Sequence, residues 1–283
     1  MQKILINKKK INVFNKTIKV PGDKSLSIRW ILIASLASGV SRSKNLLISE
    51  DVLATIKAVK KLGIKIILSN KECKIFGRGL NGYKYKKNIV IDAKNSGTLA
   101  RLLPGLLINS THKIKIIGDE SLSKRDFKRI AKPLKKFGAN LTLKENKKLP
   151  MTISGLKYPK PIKYHETKGS AQCKSSVIFA GLRTDGTTLI KAKKSRNHTE
   201  LLCKHLKIPV TVIKKKEFDL IKVNKAKKIK SFNYNIPSDI SSSAFFMVLT
   251  SLSENSTLKI KDVNINSSRT GIISILRKMG VQI

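Results

Sequence analysis

Acidic side chains are scarce in this chain: 17 Asp and Glu stand against 59 Lys and Arg over 283 residues, a formal net charge of +42. Aromatics are scarce too, at 5%, and they do not interleave with the basic residues, which removes the stacking platform that single-stranded nucleic acid needs. The charge alone raises nucleic acid as a partner. The lysines, however, alternate with aliphatic residues in Lys3-Ile4, Ile64-Lys65-Ile66, Ile114-Lys115-Ile116 and Leu258-Lys259-Ile260. That is the pattern of sheets with one wet face, so a solvated, lysine-rich surface is favoured over a nucleic-acid site, although it still concentrates anionic small molecules. The three cysteines, Cys73, Cys173 and Cys203, fit no zinc spacing, and His198 and His205 are not at a ligand-pair spacing. Reduced thiols and no metal are expected. The longest apolar run, around Trp30 to Leu36, is too short for a bilayer, and the N-terminus has no signal-peptide core, which predicts a cytoplasmic protein without a membrane partner.

What is present is a repeat. The phrases Leu36-Ala37-Ser38-Gly39-Val40-Ser41, Leu107-Ile108-Asn109-Ser110-Thr111-His112, Leu182-Arg183-Thr184-Asp185-Gly186-Thr187 and Leu252-Ser253-Glu254-Asn255-Ser256-Thr257 align, with their leucines 71, 75 and 70 residues apart. Each unit reads strand, helix, strand, helix, then one or two strands. The first helices, Ile28–Ala34, Leu102–Leu107, Val177–Ala180 and Ala244–Leu249, are apolar nearly all round and belong inside. The second helices are amphipathic, with Val52, Ile56, Val59 and Leu62 on one face and Phe127, Ile130, Leu134 and Phe137 on another. Three of them end at glycine, Gly63, Gly138 and Gly280, and the third ends near Pro209. Buried helices with half-wet strands imply an α/β fold turned inside out, βαβαββ units with helices within and sheets outside.

Chemistry is placed at the starts of the first helices. Asp23-Lys24-Ser25, Asn95-Ser96-Gly97-Thr98, Gly169-Ser170-Ala171-Gln172 and Ser238-Asp239-Ile240-Ser241-Ser242-Ser243 combine capping residues with free backbone N–H groups. One such cluster is simply an N-cap. Four in register, three with a basic residue nearby, read as a converging anion site, because each helix start adds roughly half a positive charge. Arg29 lies in an otherwise apolar helix, where an unpaired charge is costly, and this favours a ligand role. Cys173 and His198 read as packing and capping residues.

The phrase Val20-Pro21-Gly22-Asp23-Lys24-Ser25-Leu26-Ser27-Ile28-Arg29 closely resembles the signature of the 5-enolpyruvylshikimate-3-phosphate synthase family, with Ile28 where the family commonly has histidine. Asn95-Ser96-Gly97-Thr98 with Arg101, Gly118-Asp119-Glu120-Ser121-Leu122 with Lys124-Arg125, Ser170–Ser175, Ser195–Glu200, Pro237–Ser242 and Arg269-Thr270-Gly271 follow in the family's order. The resemblance implies a transfer, free of metal and cofactor, of the enolpyruvyl group from phosphoenolpyruvate to the 5-hydroxyl of shikimate 3-phosphate. Lys24 would contact both substrates and assist proton transfer. Ser25, Arg29, Ser170, Ala171, Gln172, Ser195 and Arg196 would hold shikimate 3-phosphate. Asn95, Gly97 and Arg125 would hold phosphoenolpyruvate, with Gln172 reaching it too.

The family's members have six units in two domains. The resemblance therefore implies one complete three-unit domain, residues 21–235, with 1–20 and 236–283 belonging to an incomplete second one, and a monomer at full length. A catalytic aspartate, a glutamate, two arginines and a late lysine would lie in units not represented here, so residues 1–283 alone are expected to lack turnover and to expose apolar surface on the helix Ala244–Leu252 and on the amphipathic helix near Ile272–Met279. The relative that transfers enolpyruvate to UDP-N-acetylglucosamine fits less well: it opens on a Gly-Ala-Lys-Asn-Ala type phrase and uses a loop cysteine that Cys173 does not match. A basic RNA-binding protein on a related repeat is the alternative from another class, marked by a steep dependence of affinity on salt.

Overall fold

A computed structural model describes residues 12–70 and 72–283; the expected Lys3-Ile4 strand lies outside the described residues. The chain begins β1 (Asn15–Ile18), α1 (Lys24–Leu36), β2 (Ser38–Lys44), α2 (Glu50–Lys61), β3 (Lys65–Leu68) and β4 (Cys73–Arg78). It continues β5 (Ile89–Asp92), α3 (Gly97–Leu106), β6 (Ile114–Ile117), α4 (Glu120–Ser123), α5 (Lys128–Lys136), β7 (Asn140–Lys144) and β8 (Lys148–Ser154). Next come β9 (Lys163–Glu166), α6 (Ala171–Gly181), β10 (Thr187–Lys193), α7 (His198–His205), β11 (Val210–Lys214) and β12 (Phe218–Asn224). The last elements are β13 (Asn233–Asn235), α8 (Ile240–Ser251), β14 (Thr257–Ile260) and α9 (Gly271–Lys278). No helix of the described residues is long and apolar enough to cross a membrane.

Contacts divide the chain into Lys24–Ile236 and a second unit made of the described part of Met1–Asp23 with Pro237–Ile283. Within the first, three four-stranded sheets repeat one plan: β13-β2-β4-β3, β5-β6-β8-β7 and β9-β10-β12-β11. The leading pair of each is parallel and the other pairings are antiparallel. A parallel pair needs a crossover, which α3 and α6 supply in their units. In the first sheet the leading strand comes instead from far along the chain, with Asn233 opposite Arg42.

The layering is inside out, as the residue pattern predicts. From Leu26 to Leu36 every residue of α1 is buried, and α3 and α6 are buried along nearly their whole length. The strands alternate: Ile64 and Ile66 are buried around exposed Lys65, and Ile114 and Ile116 around exposed Lys115. Isoleucines face the helices and lysines face water, which accounts for much of the net charge without a polyanionic partner. The helices touch closely because Gly105 leaves room. A Cβ there would sit 2.2 Å from the Ser176 carbonyl oxygen of α6, a backbone overlap that only separation of α3 from α6 could relieve.

The second helices share a terminus. Gly63, Gly138, Lys207 and Gly280 each lie two residues past the last helical position with positive φ. The following residue donates its N–H back into the helix in every case: Ile64 to Val59 O, Ala139 to Leu134 O, Ile208 to Cys203 O and Val281 to Leu276 O. These are four Schellman closures. The third unit builds its closure with a lysine at φ +54°, one step before the region of Pro209. The second unit differs at the other end, where its second helix is split into α4 and α5, yet Phe127, Ile130, Leu134 and Phe137 are all fully buried.

The fourth first helix, α8, is not covered like the other three, and its apolar surface is exposed as expected for 244–252. Only Ile240 and Ser243 of it are buried, while Phe245 is 80% and Leu252 78% exposed. The reason is cover: among the described residues of its own unit the sheet is only the two-stranded β1-β14 pair, too small to wrap an all-apolar helix.

Replacing Lys207 by glycine removes the cost of a left-handed conformation on an exposed side chain. Urea unfolding of Lys207→Gly should show a gain of about 0.5–1 kcal/mol, the αL relief less the added freedom of the unfolded chain. A loss of stability would contradict the shared-closure reading.

Candidate functional site

The helix starts are capped by their own side chains. Ser96 Oγ accepts from Leu99 N–H at 3.2 Å, Ser170 Oγ from Cys173 N–H at 3.3 Å, and an Asp239 carboxylate oxygen from Ser241 N–H at 2.8 Å. The capping reading of these phrases is therefore correct as far as it goes. A serine that accepts in this way still has its own proton to give to an anion.

Arg29 is the centre of one cluster. It is 3% exposed, and its guanidinium donates from Nε to Thr199 Oγ1 at 2.7 Å, from Nη1 to the Ser25 carbonyl oxygen at 3.0 Å and from Nη2 to Ser175 Oγ at 3.2 Å. Ser175 and Thr199 share a 2.7 Å hydrogen bond, and Ser175 Oγ also donates to Ala171 O at 2.7 Å. One cation thus ties the starts of α1, α6 and α7. Beside it, Lys174 of α6 and Glu200 of α7 form an ion pair at 2.6 Å with both side chains essentially inaccessible to solvent. Lys24, half exposed, pairs with Asp51 at 3.0 Å, which gives an acid in the first turn of α2 a partner at the start of α1.

A second cluster joins α3, α4 and α6. Arg101 Nη1 donates to the Gly97 carbonyl oxygen and to Gln172 Oε1, both at 3.2 Å, and its guanidinium stacks 4.8 Å from the Phe127 ring centroid. Gln172 Nε2 donates to Thr98 Oγ1 at 3.0 Å, and Arg125 Nη2 to Asn95 Oδ1 at 2.5 Å. Burial first, then the neighbouring Arg125 and Arg129 charges, hold the Arg101 guanidinium below its ordinary value. An incoming anion would relieve exactly that stress by supplying opposite charge. At Gly97 an added Cβ would meet Arg101 Nη1 at 2.6 Å and Arg125 Nη1 at 3.1 Å, so glycine lets two guanidinium groups close on the helix start.

The structure brings Ser25, Arg29 and Ala171 into the first cluster and Asn95, Gly97, Arg125 and Gln172 into the second, with α6 spanning both. Ser195 and Arg196 lie in the loop leading to α7. Ser195 Oγ is shielded from solvent with no hydrogen-bond partner among the described residues, and Arg196 beside it is exposed. Three contributors escaped the sequence reading. Arg101 stood only as part of a motif, while Thr199 and Glu166 were not singled out. The Glu166 side chain, 2% exposed, accepts from Ser170 N–H at 2.9 Å and Lys168 N–H at 3.1 Å and meets Arg129 at 3.5 Å. It sets the path of the chain into α6. Its signal was its rarity: an acid placed just ahead of a candidate anion-binding phrase in a chain with so few. Cys173 is buried, and its thiol is pushed up by that burial, as befits a packing residue; His198 is buried at the first position of α7.

In the second unit, described by itself, Asp239 caps α8, and Arg269 reaches both Ser241 Oγ and, at 3.7 Å, the Asp239 carboxylate. The last motif phrase and the α8 start are therefore in contact.

Comparison with known proteins accords with this arrangement. The family described as EPSP synthase (3-phosphoshikimate 1-carboxyvinyltransferase) matches residues 8–283. A 3-phosphoshikimate 1-carboxyvinyltransferase of Streptococcus agalactiae is 41% identical over 278 residues, 96% of this chain and 63% of the relative. One of Caldicellulosiruptor bescii is 41% identical over 271 residues, 95% of this chain and 62% of the relative. The solved structure of EPSP synthase from Acinetobacter baumannii superposes with a TM-score of 0.87 at 37% identity, over 95% of this chain and 60% of that one. The chain belongs to the EPSP synthase family, and it spans a little over 60% of the length of these curated relatives.

The Lys174–Glu200 pair offers a test of what holds the two helix starts together. Lys174→Met alone leaves a buried carboxylate without its partner and should cost about 3–5 kcal/mol in urea unfolding. Adding Glu200→Leu should restore most of the loss. A double variant as unstable as the single one would show that the pair does more than neutralise itself.

Proposed function

We propose that this chain carries the acceptor-binding part of an enzyme that transfers the enolpyruvyl group of phosphoenolpyruvate to the 5-hydroxyl of shikimate 3-phosphate, releasing phosphate, on the route to chorismate and the aromatic amino acids. The observation that carries this reading is the buried Arg29 guanidinium, because its hydrogen bonds join the three helix starts that bear the family's phrases. Residues 21–235 act as a three-unit domain, and residues 1–20 with 236–283 belong to a second. The protein works in the cytoplasm as a monomer, without metal or cofactor.

Each group to be gripped is a phosphate or a carboxylate, so fixed cations and helix starts suffice. Arg29, Ser25, Ser170, Ala171 and Gln172 hold shikimate 3-phosphate, and Arg196 takes its phosphate in a planar fork beside the unpartnered Ser195 hydroxyl. Arg125, Asn95 and Gly97 hold phosphoenolpyruvate, with Gln172 between the two. Lys24 contacts both and assists proton transfer. Substrate anions draw its ammonium away from Asp51, a pair weakened by solvent at its half-exposed lysine. Charge that builds during addition is stabilised by groups already in place before the reaction.

Calorimetric titration of the folded chain with shikimate 3-phosphate should give saturable binding, with only a shallow dependence on salt compared with a polyanion-binding protein. Arg29→Ala should weaken it by about 2–5 kcal/mol, the loss expected for a buried charge-assisted contact. Absence of heat at millimolar ligand would remove the assignment.

A further inference from the structure

The ends of α3 and α6 opposite the candidate site enclose a second place that the reaction does not use. A cleft of about 500 Å³ lies there, a helix length, or ~15 Å, from Gly97 and Ala171. Arg183, just past α6, forms its floor. Nε and Nη1 of this guanidinium are screened from solvent and have no hydrogen-bond partner among the described residues; Nη2 donates to Asn81 Oδ1 at 3.3 Å. Ser110 Oγ and Asn109 Oδ1, on the loop after α3, are likewise screened and unpartnered. Helix C-termini carry partial negative charge, but neither orphaned nitrogen makes a hydrogen bond to their carbonyls.

No acidic residue lines the cleft, whereas Lys84 and Lys157 do. The acid nearest in sequence, Asp185, is engaged by Lys225 at 2.6 Å. Burial holds the Arg183 guanidinium below its ordinary value, a stress that opposite charge removes. The walls are aromatic. Tyr83 lies 5.9 Å from the Arg183 guanidinium, and Tyr85 and His112 meet edge to face at 6.1 Å.

We propose that this cleft is a second binding site, for a small hydroxylated oxyanion, either a carboxylate or a phosphate ester. Nη1 of Arg183, with the Nη2 proton not given to Asn81, forms the end-on fork that takes two oxygens of the anion. Ser110 donates a third hydrogen bond, Asn109 Oδ1 accepts one from a ligand hydroxyl, and Lys84 and Lys157 close the rim. The size suits a ligand of drug-like or sugar-phosphate dimensions. The site lies wholly within Lys24–Ile236 and does not depend on the assignment at the other end of the helices.

Inorganic phosphate and citrate are the probes, added separately to the full chain so that phosphate and carboxylate recognition are told apart. The readouts are calorimetry and the imidazole resonances of the four histidines. Saturable binding by at least one probe should shift His112 more than His165, His198 or His205. It should survive Arg196→Ala and weaken about tenfold or more in Arg183→Gln. Lys157→Gln, on the rim and harmless to folding, should weaken it severalfold even if Arg183→Gln does not fold. Unchanged affinity in Lys157→Gln and in any folded Arg183→Gln, an unmoved His112, binding lost only in Arg196→Ala, or no saturable binding at millimolar probe would each overturn the proposal.

Discussion

A guanidinium sealed among helices must find its hydrogen bonds there, and this requirement organises the Lys24–Ile236 unit. Arg29 finds them on a carbonyl of α1 and on hydroxyls of α6 and α7. The relative rotation of three helices is thereby held to what one planar group can satisfy. Each displaced partner would leave a buried donor unmet, at a cost of about 1–3 kcal/mol or more for a charged group. The tight passage of Gly105 past Ser176 serves the same end from the apolar side, since it lets α3 approach α6 closely enough for Arg101 to reach Gln172. Polar and steric constraints thus converge on α6, where the two side-chain clusters meet.

That convergence also gives the two candidate-site clusters their chemical character. Arg101, Arg125, Arg29 and Lys24 are held by hydroxyls, amides, carbonyls and one partly buried carboxylate, that of Asp51. Most of these partners are neutral, so they orient a cation without cancelling it. Glu166 and Glu200 do neutralise cations, but they do so behind the site, on Arg129 and Lys174.

How much of this was legible depended on whether the signal was local. The amphipathic faces of α2 and α5 were plain because a 3.6-residue period survives in a linear string. The burial of Arg29 was plain from the cost of stranding a charge, but its partners Ser175 and Thr199 were not, since a hydroxyl carries no sequence signature of what it will bond. Lys207 hid the third helix closure, as a lysine gives no hint of a left-handed backbone. The three-residue strand β13 has no period to read, and its place beside β2 is decided by tertiary contact. The exposure of α8 was legible from the resemblance and not from composition: an apolar helix reports that it wants cover, and only the count of repeat units reports how much of it these residues provide. The Arg183 cleft was invisible because residues near 83, 110, 157 and 183 meet only after three units have stacked.

The pairing of β1 with β14, Asn15 opposite Thr257, has a consequence in time. Translation proceeds at roughly 5–20 residues per second, so about 240 residues of further synthesis leave β1 waiting for its partner on the order of 12–50 s. Over that interval an open strand edge is a template for wrong pairing. The strand is built to tolerate the delay: it is four residues long, and three of them, Asn15, Lys16 and Thr17, are polar and exposed. A strand so short and polar offers a competing edge little to hold.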